Sequence, residues 1–160
     1  MRKADLLILF DYSYWATGQI LEASEDASPE QFVAPADITH RNLRGTLVHA
    51  LDVERSWRRR LQGAPRETWD VDLPEDDFPT VRSLANARRD DEVEMRTWLD
   101  GLDDEAVDAV LDLGPKDRFP LSSFLLHIIT HTAHQRRDAA NVLNHAGHSV
   151  PEIDFLYYVD

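Results

Sequence analysis

Leu126-His127-Ile128-Ile129-Thr130-His131-Thr132-Ala133-His134-Gln135-Arg136 is the stretch whose reading decides the fold. Its imidazoles recur at spacings of four and three, and a helix carries positions i, i+4 and i+7 close to one line. Projected at 3.6 residues per turn, His127, His131 and His134 fill a wedge of about sixty degrees. Leu125, Ile128 and Ile129 interleave with them, so part of that wedge is expected to face a helical interior. The same pattern extends from residue 121 to about residue 146, where Gly147 stops it.

Working outward, three more long helical patterns precede this one. The first covers residues 3–24, with Leu6, Leu9, Phe10, Trp15, Ile20 and Leu21 on its apolar face. The second runs from about residue 39 to residue 61, with Gly63 as its terminator. Its inner stripe is Leu43, Leu47, Leu51 or Ala50, Glu54 and Trp57, with His49 beside it. The third begins after Thr80 as N-cap and continues to about residue 102. Its middle, Arg88-Arg89-Asp90-Asp91-Glu92, reads as a solvated face.

Between the first two, Ser28-Pro29-Glu30-Gln31-Phe32 has the marks of a short capped turn, with Ser28 as N-cap and Pro29 at the first helical position. Residues 64–79, rich in proline and acidic side chains, read as a long loop able to cover the mouth of a site. The pattern weakens over residues 103–120, where a turn at Gly114-Pro115 and a small hairpin across 112–119 are expected. The aromatic tail, residues 150–159, is expected to pack on the bundle or across an oligomer interface. The fold class is therefore all-α. One domain over residues 1–160 forms a four-helix bundle with long inter-helix connections and an ordered C-terminal tail.

Composition removes several functions. A chain of 160 residues with a formal charge of −13 lacks the clustered cations that bind phosphates. The same charge disfavours anionic membrane surfaces. Arg58, Arg59 and Arg60 end a helix, where cations suit the dipole, and read as structural. There are no cysteines, which excludes disulfides, thiolate ligands and a cysteine nucleophile. The apolar run from Leu6 to Phe10 is too short for a signal-peptide core and Asp11 closes it. No stretch approaches the length that spans a bilayer. A soluble, cytoplasmic protein without nucleic-acid or membrane partners is expected. No nucleophile elbow or phosphate-cradling glycine loop is present.

The histidines remain. A single one on an apolar stripe, such as His49, is usually a core residue whose nitrogens find partners. Several neutral imidazoles packed together leave lone pairs unsatisfied and repel once protonated, and a shared cation resolves both problems. His131 is central to the wedge. For the next position, His134 is the better donor at i+3. Gln135 has the better spacing at i+4, but an amide oxygen binds borderline metals weakly. His127 is a further ligand, a supporting partner or the rim. Three protein ligands would leave positions open, as in catalytic metal sites. The nitrogen-rich, thiol-free set suits Zn, Ni, Fe(II) or Cu(II). His40, His145 and His148 lie near helix ends and read as surface or capping residues. Glu54 or Asp52 stands where it could orient a ligand or accept a proton, although for Asp52 a solvent-facing salt bridge is expected. Tyr12, Trp15 and Trp57 read as core more than pocket.

Several stretches, taken in order, resemble the DinB-like superfamily of metal-binding four-helix bundles over nearly the whole chain. They are Phe10-Asp11-Tyr12-Ser13-Tyr14-Trp15-Ala16; Leu47-Val48-His49-Ala50-Leu51-Asp52-Val53-Glu54-Arg55-Ser56-Trp57 with Arg60-Leu61-Gln62-Gly63; the run from His127 to Arg136 with Asp138-Ala139-Ala140; Gly147-His148-Ser149; and Asp154-Phe155-Leu156. The resemblance implies one histidine ligand from the second helix and two, four residues apart, from the fourth, in a motif that ends His-Arg. His49 and His131 match it. The third position falls on Gln135, with a histidine displaced to position 134.

The family includes thiol-dependent transferases and isomerases, and dimers are common in it. The resemblance thus implies a divalent metal, Zn or Ni first and Fe next, held by His49, His131 and either His134 or Gln135. It also implies a small-molecule electrophile as substrate, a low-molecular-weight thiol as cosubstrate, and a homodimer. The other reading is a non-catalytic bundle with a degraded metal site, serving as a dimeric binding or stress-related scaffold.

Overall fold

A computed structural model describes residues 1–69 and 71–159 of the chain. Helix α1 (Lys3–Ser24) opens on Asp5, whose carboxylate accepts from the Arg2 backbone and guanidinium. Helix α2 (Pro29–Val33) is the short capped turn that its sequence signals. Ser28 accepts from the Gln31 amide at 3.2 Å and the Gln31 side chain accepts from Ser28 at 2.9 Å. Helix α3 (Leu43–Leu61) starts later than its apolar pattern suggests, because Asn42 caps it by accepting from the Gly45 amide. Thr39 instead donates to the carbonyl of Arg41 and closes a turn.

Helix α4 (Val81–Asp100) begins with a Thr80–Ser83 box. Helix α5 (Asp104–Asp108) precedes a two-stranded antiparallel ladder of β1 (Val110–Asp112) and β2 (Arg118–Pro120), with Leu111 opposite Phe119. Helix α6 (Leu121–His145) ends at Gly147, whose φ of +88° is a left-handed conformation that glycine adopts without strain. Helix α7 (Phe155–Val159) lies on α1, where Phe155 and Tyr158 pack against Tyr12 and Tyr158 against Trp15. The Tyr12 hydroxyl donates to the Ile153 carbonyl and ties this tail down.

The chain is an all-α bundle of four long helices. Helices α1 and α3 each pack against both α4 and α6, so α1 and α3 stand on one diagonal and α4 and α6 on the other. Two apolar clusters fix the helix directions. One gathers Leu6, Phe10, Met95, Leu99, Leu121 and Leu125; the other gathers Ile20, Leu43, Leu47, Leu84, Ala139 and Leu143. The starts of α1 and α6 thus share one end with the finishes of α3 and α4. Consecutive helices α1 and α3, and likewise α4 and α6, sit diagonally, whereas α3 and α4 are neighbours that run parallel, so each connection has distance to cover. No helix among the described residues is long and apolar enough to cross a membrane.

Between the two clusters lies a belt of buried polar groups. The Tyr14 hydroxyl donates to Glu54 at 2.7 Å and Arg88 donates to the other Glu54 oxygen at 2.9 Å. Arg58 pairs with Asp91 and, at 2.6 Å, with Glu94. Arg136 donates to the Ser13 hydroxyl at 2.9 Å and to the Ser13 carbonyl at 3.2 Å.

This corrects the reading of the charged run in α4 as solvated. Arg88 and Asp91 are only 6% and 2% exposed. They lie three apart on one face of the helix, and Glu54 and Arg58 meet them across the interior. Asp52 departs from expectation too. It forms no ion pair among the described residues, and its carboxylate accepts from the Leu73 amide at 3.1 Å.

Removing Glu54 would leave Arg88 charged, buried and unpaired, a class of loss that typically costs about 3–5 kcal/mol. Urea unfolding should therefore place Glu54→Leu well below wild type. Glu54→Gln, which keeps an acceptor for Tyr14, should fall between them. Equal midpoints for all three proteins would show that the belt carries no energetic weight.

Candidate metal centre

Helices α3 and α6 run antiparallel along one seam, and each turns one imidazole toward it. The rings of His49 and His131 have centroids 5.1 Å apart at an interplanar angle of 72°. Two imidazoles gripping one tetrahedral ion at ~2.0–2.1 Å would have centroids about 5 Å apart. Both rings are half-buried, and Nδ1 of His131 is buried without a hydrogen-bond partner among the described residues. A buried imidazole nitrogen with no partner is costly unless something else satisfies it.

The electrostatics favour neutral rings. Burial pushes His131 down to about 4, helped by the neighbouring His49, His127 and His134 and by Arg41. His49 is also lowered, first by burial and then by Arg41, with Asp52 and Asp72 opposing. A neutral ring keeps its lone pair free at neutral pH, which is the state a metal ligand needs.

The other members of the wedge are placed differently. His127 is exposed, with its ring 6.1 Å from His131 and edge-on to Trp57 at 5.3 Å. His134 is exposed and Gln135 half-buried. Among the described residues no three His, Cys, Asp or Glu side chains gather as a complete cation cage. The neutral nitrogens, the orphaned Nδ1 and the ring separation fit a borderline divalent ion on two sides. A third side would have to come from the Gln135 amide or the His134 ring.

Beside His49, on the α3 side, lies a cleft of about 250 Å³ lined by Arg41, His49, Asp52, Asp72 and Leu73. The segment after α3 reaches this cleft, and the Asp52–Leu73 hydrogen bond pins it there. Burial raises the Asp52 pKa, against the stabilising Leu73 amide. Glu54, by contrast, is occupied by Tyr14 and Arg88 within the interior. Sequence reasoning missed Arg41, which precedes the helix that carries His49 and shares no periodicity with it. It also missed the role of Arg136, whose position directly after Gln135 was the available signal.

The chain is similar to known proteins. The DinB family profile matches the sequence over residues 1–160. The uncharacterized protein YizA of Bacillus subtilis (strain 168) is 27% identical over 133 residues, spanning 81% of this chain and 80% of that protein. A DinB-like protein from Bacillus cereus ATCC 10987, known from a crystal structure, superposes with a TM-score of 0.66 at 19% identity. That match covers 89% of this chain and 94% of that one. At such identity the likeness is one of fold.

The depressed His131 pKa has a consequence for stability. An unfolded histidine accepts its proton near 6.5, whereas the folded ring holds out to about 4. Between those values the unfolded chain binds more protons, so stability falls as the pH drops through that window. In chelator, the advantage of wild type over His131→Leu in urea midpoint should shrink between pH 7 and pH 4.5. A pH-independent difference would contradict the assignment.

Proposed function

The chain belongs to the DinB family, and on that premise we propose that it is a divalent-metal enzyme acting on a small electrophile with a low-molecular-weight thiol as cosubstrate. One observation carries the reading: two neutral imidazoles from different helices face each other at 5.1 Å, and one of them has a buried, unpartnered nitrogen. His49 and His131 would hold the ion, with Gln135 or His134 as the third donor. Zn and Ni suit such a nitrogen-rich set best, and Fe next. When bound, the cation supplies a positive centre that favours the thiolate form of a thiol near neutral pH.

The remaining work falls to the chain itself. Because it contains no cysteine, the attacking sulfur must arrive as a cosubstrate, for transfer to the electrophile or for a thiol-assisted isomerisation. Arg41 adds a fixed positive charge in the cleft beside His49. Asp52 anchors the segment that borders the same cleft. Arg136 fastens α6 to α1 and so sets the rotation at which His131 meets the seam. Leu156, Tyr157 and Val159, exposed on α7, offer an apolar surface to a second copy in a homodimer. A cysteine-free composition suits the cytoplasm.

A second reading, a non-catalytic dimeric bundle, draws on the absence of a third His, Cys, Asp or Glu donor among the described residues. Elemental analysis of protein purified under metal-sparing conditions separates the two. The enzyme reading expects about one cation per chain, lost in His131→Ala and held more tightly in Gln135→His. Cation-free protein whose stability is unchanged in chelator would establish the bundle reading instead.

A further inference from the structure

Beside the histidine seam the bundle carries a second concavity, of about 290 Å³, which the metal site does not use. It lies where the hairpin meets the starts of α6 and the end of α3, and Trp57, Phe119, Phe124 and His127 wall it, with Asp117 and Ser123 at its edge. The rings are set at angles that leave a slot. Phe119 and Phe124 meet edge to face at 5.8 Å and 76°, and Trp57 and Phe124 lie tilted at 5.5 Å and 30°. The Arg60 guanidinium sits over Trp57 at 5.0 Å, which fixes the orientation of that indole.

Core packing accounts for Phe124, which is buried, and for Trp57, which packs on the adjoining apolar cluster, but not for Phe119. Phe119 is 47% exposed and sits on a three-residue strand, opposite the half-buried Leu111. Its contact with Phe124 closes the outer wall of the slot. On the inner side His127 forms a shared wall. One edge of its ring meets Trp57, while His131 lies 6.1 Å away on the other side. The aromatic slot is therefore one imidazole removed from the candidate metal centre.

We propose that this slot holds the uncharged aryl group of the electrophilic substrate, with the reacting end directed past His127 toward His131. The inference deepens the metal-enzyme reading and rests on it for the direction in which the occupant points. The size suits one ring with a short substituent, at the small end of ligand pockets. The walls offer ring faces and edges, which favour an aromatic guest in offset or edge-to-face contact. An anion is disfavoured by Asp117 at the edge and by the chain's charge of −13. A strongly polar guest would find few partners here beyond the Ser123 hydroxyl, the His127 imidazole and the Trp57 indole N–H. Phe119 and Trp57 are thus assigned as specificity-determining residues, and His127 as a positioning residue between slot and seam.

Benzyl alcohol serves as the probe, added to the full chain in EDTA and again in Zn²⁺, with the Trp57 indole N–H followed by heteronuclear NMR. A saturable shift of that resonance is expected in both conditions. Phe119→Ser should weaken it about fivefold or more, the loss of one ring contact. Ser123→Phe, which fills the slot from its edge without removing a buried contact, should abolish it. An unresponsive Trp57 indole, or a shift that survives Ser123→Phe, overturns the slot. The two proposals fail separately. Protein that binds no cation yet shifts saturably with the probe sinks the metal reading and leaves the aryl slot standing. Cation-loaded protein that ignores the probe sinks the slot alone.

Discussion

Glu54 stands near the middle of α3 and is met from two other helices: the Tyr14 hydroxyl reaches it across the bundle diagonal and the Arg88 guanidinium from the adjoining helix. Arg58, one turn further on, is answered by Asp91 and Glu94 of α4. On the other diagonal helix, Arg136 reaches Ser13 and Thr17 of α1. Each contact works at one axial setting of its two helices, so together they fix which turns of the four rods lie level. A shift of one turn, about 5.4 Å, would leave several buried charges without partners. The placement of His49 opposite His131 follows from that constraint. On both α3 and α6 the inward polar residue comes five positions after the histidine, a rotation of about 140°. The same offset that points Glu54 and Arg136 inward leaves His49 and His131 facing the shared seam.

The belt is better understood as a device of register than of net stability. Burying charges costs several kcal/mol each before any pairing is counted, and an apolar replacement of equal volume is often as stable. Some atoms here have no partner among the described residues, including Arg88 Nη1, Asp91 Oδ2 and Arg58 Nε. Stability comes instead from the two apolar clusters at either end. Apolar clusters alone, however, tolerate sliding, because leucine packs against leucine in many settings. The polar belt separates the two clusters and removes that freedom. Tyr14 stays a donor throughout, since burial and the Glu54 carboxylate hold its phenol far above the ordinary range.

Much of this was legible in order of residues. The limits of α1 and α6 follow from apolar spacing and from Gly147, and the Ser28 and Thr80 caps were visible as residue types. His131 could be named because helical spacing puts it at the centre of the wedge with His127 and His134, whereas its pairing with His49 came from the resemblance to the DinB-like family. What failed depended on partners far along the chain. Arg88-Arg89-Asp90-Asp91-Glu92 looks solvated because nothing local reveals that Glu54 and Arg58 will neutralise two of its members. Asn42, and not the apolar period, sets the start of α3, since a cap competes with the periodic signal at each helix end. The aromatic slot was invisible for a related reason. Trp57, Phe119 and His127 belong to three different elements, and only the hairpin brings Phe119 back over the start of α6.

The choice between Gln135 and His134 is where geometry and donor chemistry pull apart. Relative to His131, position 135 lies about 40° round the helix and position 134 about 60° the other way. Burial follows the rotation: Gln135 is half-buried and His134 exposed. The residue better placed toward the interior is therefore the weaker donor. An amide oxygen gives less charge to a borderline ion than an imidazole does. An ion held by His49, His131 and Gln135 would be bound more loosely than one held by three imidazoles. It would also keep more of its positive charge for whatever enters the open positions. A glutamine in place of a histidine would thus trade occupancy for acidity, as the proposed thiol-dependent centre would require.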